Sequence, residues 1–175
     1  QAGHRVIAHE RLDSTNNEAL RLARSGERGP LWIVTRDQTA GRGRRGRDWI
    51  SAPGNLTTSM LFTEAVTPAV APTFGFAASL AVCETCERLA PRIAFAVKWP
   101  NDVLADGNKV AGILLESETR GGALALVAGF GINLASAPDR MTFPATCLGR
   151  LGANVAAESA FAALTDCCVE TLRTW

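Results

Sequence analysis

Lysine is nearly missing from this chain. Of its 18 basic residues, only Lys98 and Lys109 are lysines and the rest are arginine. A coding bias toward arginine accounts for such a ratio in general, but the rigid guanidinium fork cannot imitate a compact, rotatable ammonium. The two surviving lysines, close together in one segment, are therefore candidates for function. An excess of either charge is missing too. With 18 Lys+Arg against 17 Asp+Glu the net charge is +1, which leaves no broad basic face for duplex DNA or an anionic membrane. Any anion chemistry must be local. No apolar run approaches the roughly 20 residues that cross a bilayer, and the polar start from Gln1 to Ser14 has no signal-peptide core. These absences predict a soluble, cytoplasmic protein without a membrane or DNA partner. Cysteines number five, an odd count, and Cys83-x-x-Cys86 is followed by neither a second C-x-x-C nor an H-x-x-x-H. A zinc site needs that second pair, so Cys83, Cys86, Cys147, Cys167 and Cys168 are expected as thiols of the core or of helix surfaces in a reducing compartment, and no protein-bound metal is expected.

What the chain does contain is one domain's worth of core. At 175 residues and 47% hydrophobic, a single domain spanning 1–175 would bury roughly 70% of its unfolded surface. Arg5 to Ala8 reads as a short strand. Thr15-x-x-Glu18 fits a capping box ahead of Ala19, Leu20, Leu22 and Ala23, which predicts a helix from about Thr15 to Ser25 that stops at Gly26. Asp13-Ser14-Thr15-Asn16-Asn17 then sits at a helix N-terminus, where plain capping and ligand binding are both open readings. Leu31 to Thr35 is dense in β-formers, and Asn55 to Phe62 alternates weakly. Pro72 to Leu89 is expected as the longest internal helix. Strands are expected at Phe95 to Lys98, Asp102 to Leu104, Lys109 to Ser117 and Ala123 to Gly129, with a hairpin at Asp106-Gly107 and a closing helix from Glu158 to Trp175. Short turns between strands and clustered helices argue for an α+β fold with a mixed, largely antiparallel sheet flanked by helices.

The most informative segment is Gly41-Arg42-Gly43-Arg44-Arg45-Gly46-Arg47, which places four guanidiniums and three glycines in seven residues directly after a strand. Glycines let successive N–H groups turn into a concave nest, and arginine forks offer paired donors, so this sequence suits phosphate or carboxylate oxygens. With no anion bound, four like charges within about a Debye length repel, and the loop is expected to be mobile. Familiar motifs overlap it. Gly41, Gly43 and Gly46 satisfy G-x-G-x-x-G, but a dinucleotide fingerprint must open a helix and Asp48 to Gly54 does not. A P-loop needs Lys-Ser/Thr where Arg47-Asp48 stands, and the kinase motifs are missing. An RNA-binding Arg/Gly element stays open, although this is one copy inside a globular pattern. The second informative stretch is Lys98-Trp99-Pro100-Asn101-Asp102, followed by Lys109-Val110-Ala111-Gly112-Ile113-Leu114. Lys109 stands ahead of an apolar strand on which Gly112 permits close backbone approach. Asp102 and Glu116 can either hold Mg²⁺ or pair with the lysines, and spacing does not choose between these.

Five blocks in order, Asp13 to Asn16, Gln38 to Arg47, Lys98 to Asp102, Lys109 to Leu114 and Gly129-Phe130-Gly131-Ile132-Asn133, together resemble bacterial biotin protein ligase over nearly the whole chain. The resemblance implies the sheet architecture of the biotin and lipoate ligases and of class II aminoacyl-tRNA synthetases. It also implies an ATP-dependent, AMP-forming ligase that makes biotinyl-5′-adenylate and passes biotin to a lysine of biotin carboxyl carrier protein, with ATP, biotin and Mg²⁺ taking part. By the same resemblance Lys109, Arg42 and Arg44 are catalytic, and Ser14, Thr15, Asn16, Gln38, Arg42, Gly43, Arg44, Lys109 and Gly112 surround biotin. Arg44, Arg45, Trp49, Asn101 and Asn133 are then the nucleotide-binding set. A homodimer is left open. Against the fuller family pattern, no winged-helix segment precedes Arg5 and no small C-terminal β domain follows Trp175, which leads one to expect an isolated catalytic core. The rival readings are a lipoate or octanoate ligase-like transferase, which resembles the same fold, and a non-catalytic biotin- or RNA-binding module.

Overall fold

A computed structural model describes residues 5–63, 67–120, 122–139 and 143–175. It contains a seven-stranded sheet and three helices: β1 (Arg5–Leu12), α1 (Thr15–Arg24), β2 (Leu31–Gln38), β3 (Leu56–Phe62), α2 (Phe74–Leu89), β4 (Phe95–Lys98), β5 (Asp102–Ala105), β6 (Asn108–Arg120), β7 (Ala123–Ile132) and α3 (Ala157–Thr174). The strand order is β1-β2-β3-β7-β6-β5-β4. β1 and β2 run parallel, joined through α1, and every other neighbouring pair is antiparallel. The mixed, largely antiparallel architecture expected from the sequence is therefore present.

Period-2 alternation gives the sheet two distinct faces. Trp32 and Val34 of β2, Leu56 and Met60 of β3, and Leu126, Ala128, Phe130 and Ile132 of β7 point toward α2 and α3 and form the main core. Trp32 lies at its centre, 5.6 Å from the ring of Phe130 and 5.6 Å edge-on from Phe161 of α3. Each such fully buried large apolar side chain stabilises the fold by about 1.5–3 kcal/mol before conformational entropy is set against it. On the opposite face Leu31, Ile33, Leu61 and Val127 pack against Ala19 of α1 in a smaller cluster. That helix covers only part of its face, and the uncovered remainder over β3, β7 and β6 becomes a cleft.

Several boundaries differ from the sequence expectation. β1 continues to Leu12 because its pairing with β2 extends through Arg11↔Asp37 and Leu12↔Gln38. β6 runs to Arg120 rather than Ser117, and β7 to Ile132 rather than Gly129, since the two form one long antiparallel ribbon in which each extends the other. The helix cap is Ser14 rather than Thr15. Ser14 has extended backbone angles and its hydroxyl accepts the Asn17 N–H at 3.4 Å, so the Thr15-x-x-Glu18 box is displaced by one residue and Glu18 instead pairs with Arg21 at 2.7 Å. The five cysteines are free and buried. Burial pushes the Cys86 thiol up to about 12 and raises Cys83, Cys167 and Cys168 as well. Thiolate is the reactive species, so at pH 8 the folded protein is expected to react with Ellman's reagent at least ~10-fold more slowly than the guanidinium-unfolded chain. Equal rates would place these thiols outside the core. None of the helices among the described residues is long and apolar enough to cross a membrane.

Candidate functional site

The cleft on the α1 face has a volume of ≈ 390 Å³, within the usual size of small-molecule sites. Its floor is made by β6 and β7, where Gly112 and Gly131 are directly paired and Gly129 lies two residues away on the same face. Its walls are the start of α1, the Gly41–Arg47 flap with Trp49, and the turn from Lys98 to Asp102.

One end of the cleft carries amides and hydroxyls. Ser14, Thr15 and Asn16 are buried at the N-terminus of α1. Thr15 gives both its N–H (2.9 Å) and its hydroxyl (3.3 Å) to Gln38 Oε1, and Gln38 Nε2 donates to Ser51 Oγ at 3.2 Å. Asn16 Nδ2 donates to the Leu114 carbonyl at 3.2 Å and to Glu116 Oε2 at 2.9 Å. The buried hydroxyl of Ser59 on β3 lies 2.6 Å from Thr15 Oγ1 and 2.5 Å from Asn16 Oδ1. The capping reading of this segment applies to Ser14, while Thr15 and Asn16 reach across to β2, β3 and β6 and line the cleft. Behind them Arg21 holds the Asp13 carboxyl well below the usual carboxylate range, chiefly by its hydrogen bonds, and Asp13 in turn accepts from Asn17 Nδ2 at 2.8 Å.

The other end carries cations. Lys109 Nζ is 2.7 Å from Asp102 Oδ1 and 5.3 Å from the centre of the Trp49 ring. Its backbone is held on both sides, its N–H by the Pro144 carbonyl at 2.9 Å and its carbonyl by the Thr146 N–H at 2.8 Å. Of the two partners open to it from the sequence, Asp102 therefore takes Lys109, and Glu116 takes Arg42 at 2.8 Å. Lys98 stands 4.3 Å over the ring of Phe143, and Lys98 and Arg47 also line the cleft. Asn101 straps its turn to β6: its Nδ2 donates to the Ile113 carbonyl at 3.2 Å and its own carbonyl accepts the Ile113 N–H at 2.8 Å. Its Oδ1 receives Arg44 Nη1 at 3.1 Å. Asn133, also buried, spends its Nδ2 on the Thr146 carbonyl at 3.1 Å.

The flap is tied to the body of the domain by Arg42 and Arg44, and internally by Gly43 N–H to the Arg47 carbonyl at 2.6 Å around one short turn, Arg44–Gly46. Gly41 is demanded by crowding, since a Cβ there would lie 2.4 Å from the Trp49 carbonyl oxygen. Of the residues expected at the site, Ser14, Thr15, Asn16, Gln38, Arg42, Gly43, Arg44, Trp49, Asn101, Lys109, Gly112 and Asn133 converge on this one cleft. Arg45 does not line it: it occupies the tip of the turn in left-handed conformation (φ 59°), exposed to solvent. The residue pattern alone does not pick out Ser59, Gly129 or Gly131; the two glycines enter only through the Gly129 to Asn133 block of the family resemblance. Ser59 reads as part of an ordinary strand, and the glycines stand inside an apolar run. No group of three or more His, Cys, Asp or Glu side chains able to hold a metal occurs among the described residues. Asp48 and Asp102 are the carboxylates on the cleft wall, a donor set that fits Mg²⁺ only in company with substrate phosphates, which is how that ion is commonly held.

Residues 8–133 match the family model described as the biotin/lipoate A/B protein ligase family. The chain is 47% identical over 131 residues to the biotin–[acetyl-CoA-carboxylase] ligase of Paracoccus denitrificans, covering 74% of this chain and 54% of that protein. It is 39% identical over 127 residues to the bifunctional ligase/repressor BirA of Escherichia coli K12, covering 71% of this chain and 39% of that protein. The chain thus spans about half the length, or less, of the curated relatives it matches. The biotin protein ligase of Aquifex aeolicus in complex with biotin and ATP superposes with a TM-score of 0.79 at 30% identity, covering 97% of this chain and 70% of that one. The family match runs from β1 to Asn133, and so takes in the α1 cap, the flap, both lysines and the glycine floor: the chain belongs to the biotin/lipoate A/B protein ligase family.

Proposed function

We propose that this domain activates biotin with ATP to biotinyl-5′-adenylate and transfers the biotinyl group to a lysine of a biotin carboxyl carrier protein. The observation that carries the reading is the meeting, in one cleft, of a buried amide–hydroxyl cluster with a clamped lysine and a guanidinium flap. A ureido ring has one carbonyl acceptor and two N–H donors. Thr15, Asn16 and Gln38, with Ser14 and Ser59, offer hydroxyls and amides of both kinds in a dry end of the cleft, where an unpaired group costs ~1–3 kcal/mol. A purely aliphatic tail ending in a dithiolane would offer that cluster no hydrogen-bonding atoms in return, which favours biotin over lipoate. Relatives named for biotin ligation, and a structural neighbour holding biotin and ATP, support the same reading.

In the first step a carboxylate oxygen of biotin bonds to the α-phosphorus of ATP while the bond from that phosphorus to the bridging oxygen breaks, and pyrophosphate leaves with the electron pair. Two anions must approach each other, so the barrier is electrostatic. Lys109 and Arg44 are donors at the cationic end and Arg42 is held on the flap beside α1, and preorganised charge of this kind stabilises the developing negative charge on the phosphate oxygens. Mg²⁺, when bound with the triphosphate beside Asp102 and Asp48, would supply further neutralisation. Trp49 and Asn133 border the space for the adenosine. In the second step the carrier lysine's amine attacks the acyl carbon and AMP departs. Until then the mixed anhydride must be kept from water, and the flap over the cleft serves that need.

Pyrophosphate release from ATP, measured separately with biotin and with lipoate, tests the proposal. Biotin-dependent release, at least ~10²-fold above that with lipoate, is expected from loss of two or more buried polar contacts at ~1–3 kcal/mol each. No release with biotin, or equal release with lipoate, would overturn it.

A further inference from the structure

Glu116 of β6 is outside the cleft lining and has no part in the steps above, yet its side chain is three-quarters buried (24% exposed) and takes hydrogen bonds from two separate elements. Its Oε2 accepts Asn16 Nδ2 at 2.9 Å and Arg42 Nη2 at 2.8 Å. The same Arg42 nitrogen donates to Asn17 Oδ1 at 2.7 Å. One carboxylate on the rigid β6–β7 ribbon therefore joins α1, through Asn16, to the flap, through Arg42. From Asn16 Oδ1 the connection continues to Ser59 and Thr15.

We propose that Glu116 is a positioning residue: a clasp that holds the arginine flap against α1 and at the same time fixes which way the Asn16 amide faces the pocket. The proposal deepens the ligase reading, on which it rests for the identity of the ligand. Two physical arguments support it. Four guanidiniums in one short flap repel one another, and Glu116 is the carboxylate that meets the first of them at hydrogen-bond distance; charge-assisted bonds of this type are about twice as strong as neutral ones. An asparagine amide can be turned end for end at little cost in shape. Glu116 can only accept, so it compels Asn16 to present nitrogen to β6 and oxygen to Ser59. Glu118 provides an internal comparison. It lies two residues further along the same face of the same strand, but pairs with Arg24 at 2.6 Å, away from the flap.

Limited trypsin digestion of the full chain without ligand, read by mass spectrometry, compares cleavage after Arg42, Arg44, Arg45 and Arg47 with cleavage at all other sites. Flap cleavage is expected to rise at least ~10-fold in Glu116→Ala and by a smaller factor in the isosteric Glu116→Gln, with Glu118→Ala unchanged and the other sites unchanged in all three. Biotin is expected to protect the flap of Glu116→Ala only at ~10-fold higher concentration, because its binding now has to close an open flap, and to restore full protection at saturation. The KM for biotin should rise accordingly, with kcat for adenylate formation at saturating biotin within ~3-fold of the unaltered protein. Faster cleavage at every site, unrelieved by biotin, would mean general loosening and would overturn the clasp, as would flap cleavage unchanged in both Glu116 variants. If biotin fails to protect even the unaltered protein while Glu116→Ala still frees the flap, the clasp stands and the biotin reading falls.

Discussion

Lys109→Ala is expected to slow adenylate formation by at least ~10²-fold, the loss that follows removal of a single preorganised donor from a developing anion. The size of the effect rests on how rigidly the ammonium is delivered. The backbone of Lys109 is clamped on both sides by Pro144 and Thr146, and β5 shifts register against β6 between Val103 and Leu104, just where β5 comes opposite it. Asp102 pairs with its Nζ at 2.7 Å, and the side-chain end rests over Gly112 in space that a Cβ there would take, 3.0 Å from Nζ. A group held this firmly pays no reorganisation when charge builds on the phosphate, which is what makes its removal costly. Lys109→Arg should rescue poorly, since a planar fork neither fits above Gly112 nor presents a point charge. Single-turnover quench experiments at saturating ATP and biotin measure the step. Transfer from presynthesised adenylate to carrier should be affected much less, because no phosphate charge develops there. Adenylate formation within a few fold of the unaltered protein would remove Lys109 from the reaction.

The sequence reveals the fold where its signals are local. β3 and β4 appear within a residue of their expected places, and β2 begins at its expected Leu31 although it runs three residues past Thr35 to Gln38, because β-branched and aromatic side chains accumulate there; Asp106-Gly107 marks its hairpin directly. Strand order is not local, and neither is the parallel pairing of β1 with β2; nothing in Arg5 to Leu12 encodes its partner. At the site, polar residue types drew attention to Asp13–Asn17 and the flap arginines, since few structural needs explain so many in so short a span, whereas Gln38 entered only through the family resemblance. Pairings among those groups were beyond reach. Asp102 and Glu116 looked equivalent from their spacing, and only the sheet register decides that one meets Lys109 and the other Arg42. The helix start shows the limit of a motif: Thr15 satisfies the capping-box pattern, but its N–H and hydroxyl are drawn to Gln38 across the cleft, and Ser14 does the capping. Glycines in β7 are the least legible of all, because the reason for them lies in side chains that arrive from distant parts of the chain.

Those glycines carry the second large prediction, and two of them are expected to fail in different ways. A Cβ on Gly129 would lie 2.2 Å from Asn16 Oδ1 and 2.9 Å from its Cγ, and a Cβ on Gly131 would lie 2.3 Å from two carbons of the Trp49 indole. Both contacts are impossible, so in each variant something must move. Asn16 has nowhere to go: it is 3% exposed and bound to Glu116, Leu114 and Ser59. Its displacement strands three polar partners on β6 and β3 at ~1–3 kcal/mol apiece, so Gly129→Ala should lose about 2–4 kcal/mol of stability and, with the polar end of the pocket disarranged, at least ~10²-fold in biotin affinity. Trp49 is different. It is half-buried, on the segment that follows the flap, and can swing outward without orphaning a buried polar group. Gly131→Ala should therefore melt within a few degrees of the unaltered protein but raise the KM for ATP by ~10-fold or more, since the displaced indole takes its apolar contact away from the nucleotide end of the cleft. Chemical denaturation and calorimetric titration of the two variants side by side decide the matter. If Gly129→Ala keeps both its stability and its biotin affinity, Asn16 is not seated against β7, and the polar end of the cleft would have to be rebuilt from other residues.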